Sequence, residues 1–111
     1  MISNDLLKGT LRTIVLKLLK EHKRLYGYEI TQKVEELSGG KVKLTFGALY
    51  PVLHKLEAEG YVVTDKVNIG KRVRIYYSLT PEGVNWAQAL VDEFEDFVNT
   101  MQLILQPYSA K

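Results

Sequence analysis

The segment from residue 45 to residue 83 constrains the fold more than any other part of the chain. Residues 45–60 read Thr-Phe-Gly-Ala-Leu-Tyr-Pro-Val-Leu-His-Lys-Leu-Glu-Ala-Glu-Gly. Thr45 supplies a capping hydroxyl, Leu49, Val52, Leu53 and Leu56 share one helical face, and Gly60 ends the helix. Pro51 removes an N–H that the helix wants, so a tightened or kinked first turn is expected there rather than a break. Residues 61–67 and 72–79 then read as two strands joined at Asn68-Ile69-Gly70-Lys71. In the second strand Val73, Ile75, Tyr77 and Leu79 alternate with Arg72, Arg74, Tyr76 and Ser78, the period of a ribbon with an inward apolar face and a basic outer one. Thr80-Pro81-Glu82 starts another helix with a hydroxyl cap, a proline at the first position and an acid in the first turn. A short helix, a basic two-stranded ribbon and a freshly capped helix form the pattern of a winged helix-turn-helix. The expected class is α+β, mostly helical, with a long C-terminal helix that dimerises.

Upstream, Ser3, Asn4 or Asp5 can cap a first helix. Its stripe is Leu7, Leu11, Ile14, Val15, Leu18 and Leu19, and it stops near Glu21-His22-Lys23. A second helix is expected over 26–37 with Ile30, Val34 and Leu37 facing in, ended by Ser38-Gly39-Gly40. Residues 41–44 form an extended connector. The last helix runs to about Gln106, before Pro107. One stripe of it holds Ala87, Leu90, Val91, Phe94, Phe97, Val98, Met101, Ile104 and Leu105. The organisation expected is a DNA-binding domain over 1–80 and a dimerisation helix over 81–108.

Charge is unevenly distributed. Residues 1–79 hold 14 Lys/Arg against 8 Asp/Glu, a balance of +6, whereas residues 80–111 hold 1 against 5, a balance of −4. A basic body with an acidic tail suits a chain that meets phosphate at one end. With no cysteine there is no disulfide framework or thiolate metal site, and no metal or other cofactor is expected. The start lacks the basic and apolar regions of a secretion signal, and no apolar run is long enough for a membrane span, so a cytoplasmic location without membrane contact is expected.

These segments together resemble the PadR family of bacterial transcriptional regulators. The match rests on Tyr26-Gly27-Tyr28-Glu29-Ile30, on residues 47–53, on Leu56-Glu57-Ala58-Glu59-Gly60 and on residues 74–83. They cover most of residues 6–84 in family order and spacing. Ala48 stands where the family pattern usually has threonine. The resemblance implies a homodimeric winged-helix repressor, and the single C-terminal helix is similar to the short subgroup, which includes regulators answering to drugs or aromatic compounds.

Several residues are candidates for function. The helix starting at Thr45 is expected to enter the major groove of double-stranded DNA, with Tyr50 on phosphate, His54 and Lys55 near bases or phosphates, and Thr45 at an anion-favouring helix start. A solvated helix face is the plain alternative. Lys71, Arg72 and Arg74 form the wing, and Lys41 and Lys43 adjoin it. Lys8 and Arg12 are read as solubilising the first helix. Gly27 is read as close packing at a helix start, Tyr77 as core, and His22 as a surface residue. In the last helix Leu90, Phe94, Phe97, Val98, Met101, Ile104 and Leu105 are the expected homodimer seam. Trp86, Phe94 and Phe97 could line a cavity there for a small aromatic effector, against a closed aromatic core. Phe94 stands where multidrug-sensing relatives place a stacking tryptophan. Two rival functions follow: a winged-helix protein-interaction module that does not read DNA, and an enzyme, for which the chain offers no paired acid–base groups, phosphate loop or metal cluster.

Overall fold

The computed structural model describes residues 2–107, so Tyr108, the last residue of the expected 81–108 segment, lies outside the described residues. Eight elements follow in order: α1 (Asn4–Lys8), α2 (Leu11–Glu21), β1 (Leu25–Tyr26), α3 (Gly27–Leu37), α4 (Phe46–Ala58), β2 (Val62–Ile69), β3 (Arg72–Leu79) and α5 (Pro81–Leu105). The core is aliphatic. Val15, Leu16, Leu18 and Leu19 of α2 meet Ile30 and Val34 of α3, Leu49, Leu53 and Leu56 of α4, Val62, Tyr77, and Ala87 and Leu90 of α5.

The expected first helix is two. Thr10 directs both its N–H and its hydroxyl at the Leu7 carbonyl, at 2.8 and 2.9 Å. A side chain that competes in this way closes a tight turn, and Gly9 beside it has the weakest helix propensity short of proline. Ser3 provides the α1 cap, its hydroxyl accepting from the Leu6 N–H. In α3, Ile30 and Val34 face in, but Leu37 is 71% exposed and does not. The last turn of α3 has run past the edge of the core, where Ser38 ends it and Gly39 and Gly40 turn the chain with positive φ.

Thr45 caps α4 as expected, accepting from the Ala48 N–H, and the helix passes through Pro51 without interruption. The proline lies on the exposed side, where water can satisfy the freed carbonyl.

The sheet has the order β1-β3-β2, all antiparallel. The strand β1 has no counterpart in the sequence reading, since two residues carry no periodicity. The hairpin turn is also shorter than the expected four residues: Ile69 pairs with Arg72, leaving Gly70-Lys71. Only the first turn residue has positive φ, at 61°, the type II′ arrangement that suits strand twist and that glycine adopts without strain.

The expected alternation along β3 holds only at its base. Tyr77 is buried at 2%, yet Val73 and Ile75 are exposed because the ribbon tip extends beyond the helices that could cover it. On the other face Arg74 and Tyr76 are partly covered by β1, so that face is not the open basic surface the alternation predicts.

The start of α5 is fixed to the corner between α4 and β2. Thr80 donates its hydroxyl to the Gly60 carbonyl at 2.7 Å and its N–H to the Tyr61 carbonyl at 3.1 Å, while its oxygen accepts from the Gly83 N–H. The chains approach so closely that a Cβ on Gly83 would lie 2.0 Å from the Tyr61 carbonyl oxygen. Beyond Leu90 the helix leaves the core. Phe97 is 53%, Ile104 65% and Leu105 79% exposed.

Candidate nucleic-acid interface

The exposed ridge of α4 is aromatic. Phe46, Tyr50 and His54 stand at four-residue intervals, so their rings line up along one face, 5.7 Å between the first pair of centroids and 6.0 Å between the second. Phe46 was missed in the sequence, although its spacing of four from Tyr50 was the available signal. Tyr50 leans on the backbone of α3: a Cβ on Gly27 would lie 2.6 Å from the Tyr50 hydroxyl, which accounts for the glycine between two tyrosines.

Beside that ridge a groove of about 490 Å³ opens between the start of α3, α4 and the wing. Tyr28 and Tyr50 form one wall, and Arg72, Arg74 and Ile75 the other. The structure thus joins Tyr50, Arg72 and Arg74. His54 is exposed farther along α4, and Lys71 lies in the hairpin turn. Lys43, Thr45 and Lys55 line a different groove, on the other flank of α4 against α1.

Interleaved arginines and tyrosines brace the wing. The Arg74 guanidinium sits 4.1 Å over the Tyr26 ring and donates to the Tyr76 hydroxyl at 3.3 Å. That hydrogen bond, aided by nearby phenols and Glu29, favours the charged form and holds the Arg74 pKa above its ordinary value. Arg24 lies 4.0 Å over Tyr76 and pairs with Asp65 at 3.2 Å, while Tyr26 meets Tyr76 edge to face. The sequence gives no functional signal for Arg24, Tyr26 and Tyr76, because Arg24 meets Asp65 and Tyr76, and Tyr26 meets Arg74 and Tyr76, across 41 to 52 residues of chain.

The aromatic residues of α5 fall into two groups. Trp86 stacks on Tyr61 at 5.7 Å with Arg12 over its ring, and its Nε1 is buried without a hydrogen-bond partner. Phe94 and Phe97 pair with each other at 6.0 Å. Of the residues assigned to the seam, Leu90 is buried in the protomer's own core, Phe94 and Met101 are half-covered, and Phe97, Val98, Ile104 and Leu105 are exposed. Among the described residues no cluster of His, Cys, Asp and Glu could hold a metal ion, and no helix is long and apolar enough to cross a membrane.

Comparison with known proteins decides the family: the family described as transcriptional regulator PadR-like matches residues 15–89. The chain belongs to the PadR-like family of transcriptional regulators. Within it, this PadR-family chain is 29% identical over 109 residues to Uncharacterized protein X of Lysinibacillus sphaericus, covering 96% of the chain and 97% of that relative. It is 39% identical over 59 residues to Transcriptional regulator Rv3488 of Mycobacterium tuberculosis, a match that spans 53% of the chain and only 52% of that regulator. Among solved structures, a transcriptional regulator from Clostridium thermocellum superposes with a TM-score of 0.85 at 28% identity, over 96% of this chain and 100% of that one. A PadR-family regulator from Eggerthella lenta gives 0.80 at 25% identity, over 94% and 88%. The winged-helix fold with its long C-terminal helix is therefore that of the PadR family.

Proposed function

We propose that this chain is a homodimeric repressor that reads double-stranded DNA through α4 and the wing, acts in the cytoplasm, and releases a near-palindromic operator when an effector binds. The carrying observation is the groove that sets Tyr50 of α4 opposite Arg72 and Arg74 of the wing. A phenol and two guanidiniums beside an exposed helix suit phosphate contacts, while His54 on the same ridge is free to meet base edges. Lys71 extends the cationic surface of the wing, and Lys43, Lys55 and the helix start at Thr45 offer phosphate contacts on the other flank of α4. Residues 1–80 form the reading head and 81–108 the dimerisation helix in this reading.

Dimerisation is supported by the bare apolar half of α5. Burying side chains such as Phe97, Ile104 and Leu105 yields on the order of 1.5 to 3 kcal/mol each, more than a free chain of this size readily forgoes. Phe94, Val98 and Met101 complete the seam. A planar aromatic effector beside Trp86, Phe94 and Phe97 is supported by the Phe94–Phe97 pair, whose rings lie 6.0 Å apart with Phe97 exposed for stacking.

The test is DNA affinity against salt. With roughly 6 to 10 phosphates touched by the dimer, log affinity should fall against log salt with a slope of about −5 to −9. His54→Ala should change the preferred sequence rather than weaken all sequences alike. A flat salt response would refute DNA reading and favour a protein-interaction module.

A further inference from the structure

The start of α4 carries a side chain that phosphate contact does not explain. Phe46 is the first residue of the helix, is 48% exposed, and takes no part in the hydrophobic core. The rest of the first turn has little to offer a partner. Leu49 is fully buried, and Gly47 and Ala48 are exposed but present no more than a methyl group. A Cβ on Gly47 would meet only the Thr45 hydroxyl oxygen, at 3.9 Å, so the space beside the ring is open. The ring itself is braced. Tyr50 packs against the core and on the Gly27 backbone, and Phe46 rests on Tyr50 with their planes 41° apart. Whereas α1, α3 and α5 each have an acid in the first turn, α4 has none, so no carboxylate there repels a flanking phosphate.

A helix that enters the major groove meets base edges with its N-terminal residues. The Phe46 side chain has no donor or acceptor, so it cannot read the hydrogen-bonding groups of adenine, guanine or cytosine. The one apolar group on those edges is the thymine 5-methyl. We propose that Phe46 is a specificity-determining residue that selects thymine in each operator half-site by packing its ring on that methyl. This role rests on the proposed reading of DNA by α4. It divides labour along one ridge: Phe46 makes an apolar base contact, Tyr50 a phosphate contact and His54 a polar base contact. Because 5-methylcytosine carries a methyl at the same ring position, it should be accepted there in preference to cytosine.

The test uses the tightest duplex that the full chain recovers from a random-sequence pool. Each thymine in turn is replaced by deoxyuridine, which removes the methyl and nothing else. At one position per half-site wild type should lose about 4-fold in affinity, and about 15-fold when both half-sites are changed, the worth of one and of two buried methyl groups. Replacing that thymine with cytosine should weaken binding more than replacing it with 5-methylcytosine. Phe46→Ala should bind the thymine and deoxyuridine duplexes alike, with an unchanged salt slope because no phosphate contact is lost. Phe46→Leu, which keeps an apolar side chain, should retain part of the preference. Since Phe46 lies outside the core, both variants should keep the wild-type circular dichroism. Wild type indifferent to every deoxyuridine overturns the assignment, as does a methyl preference that survives in Phe46→Ala. A flattened salt slope in Phe46→Ala overturns it too, because the ring would then act through phosphate contacts. A duplex bound with the expected salt dependence but without methyl preference leaves DNA reading standing and removes only the role of Phe46. No duplex bound at any salt removes both.

Discussion

Replacing Gly83 with alanine should destabilise the protein, against the usual direction of a glycine-to-alanine change in a helix. Intrinsic propensity favours alanine by at most about 1 kcal/mol. Opposing it, the new Cβ would lie 2.0 Å from the Tyr61 carbonyl oxygen, an atom of the backbone that cannot swing aside. Either the overpacking is tolerated, at about 1 to 3 kcal/mol, or α5 moves off the corner. Movement would strip the Thr80 hydroxyl from Gly60 and the Thr80 N–H from Tyr61, two bonds worth about 0.5 to 1.5 kcal/mol each. Either effect alone, less the propensity gain, leaves a net loss of up to about 2 kcal/mol, and both together about 1 to 5. A carbonyl so close forces both, so at about 4 °C per kcal/mol for a domain of this size the expected fall in Tm is about 4 to 20 °C. Gly47→Ala is the matched control. Its Cβ would have only the Thr45 hydroxyl oxygen within 4 Å, at 3.9 Å, so propensity should win and stability should rise by about 0.5 to 1 kcal/mol. The assay is thermal and urea unfolding by circular dichroism at one fixed protomer concentration, because dimer stability depends on concentration. If Gly83→Ala unfolds at or above the wild-type temperature, the close approach of α5 to Tyr61 is not the constraint it is taken to be.

Three further outcomes are expected. Phe97→Glu sets a charge in the α5 seam, and sedimentation should find monomer or insoluble protein without operator binding; a soluble, unchanged dimer would show that this stripe is not the interface. Arg72→Ala and Arg74→Ala should both weaken all DNA sequences and flatten the salt slope, but only Arg74→Ala should also lower Tm, because Arg74 packs on Tyr26 and bonds Tyr76; equal Tm for both would show that the brace does not stabilise the wing. Burial, aided by Tyr50 and Glu57, raises the Tyr77 pKa above its ordinary 10.0. The folded state thus favours the neutral phenol, whose contribution is full below about pH 10 and is lost as pH rises through the folded pKa. Alkaline unfolding should therefore be steeper for wild type than for Tyr77→Phe, and coincident curves would refute the role of this phenol.

The sequence by itself determined whatever is encoded within one turn of chain. Thr45 and Thr80 cap their helices because a hydroxyl and an N–H three residues on meet in any helix start, whatever surrounds them. Leu49, Leu53 and Leu56 face the core because helical period alone puts them on one side. The family could be read for the same reason, since its motifs are short and keep fixed spacing. Tertiary structure decided what depends on neighbours distant in sequence. Tyr26 becomes a strand residue only because Tyr76 is there to pair with it. Val73 and Ile75 carry the pattern of an inward face, but no helix reaches the ribbon tip to bury them. The sequence puts Lys43 beside the wing and Thr45 and Lys55 on the DNA-reading helix, yet all three line the other flank of α4, where α1 completes a second groove. Periodicity states which residues share a face; only packing settles what that face meets, because burial is a property of two surfaces and a sequence pattern describes one.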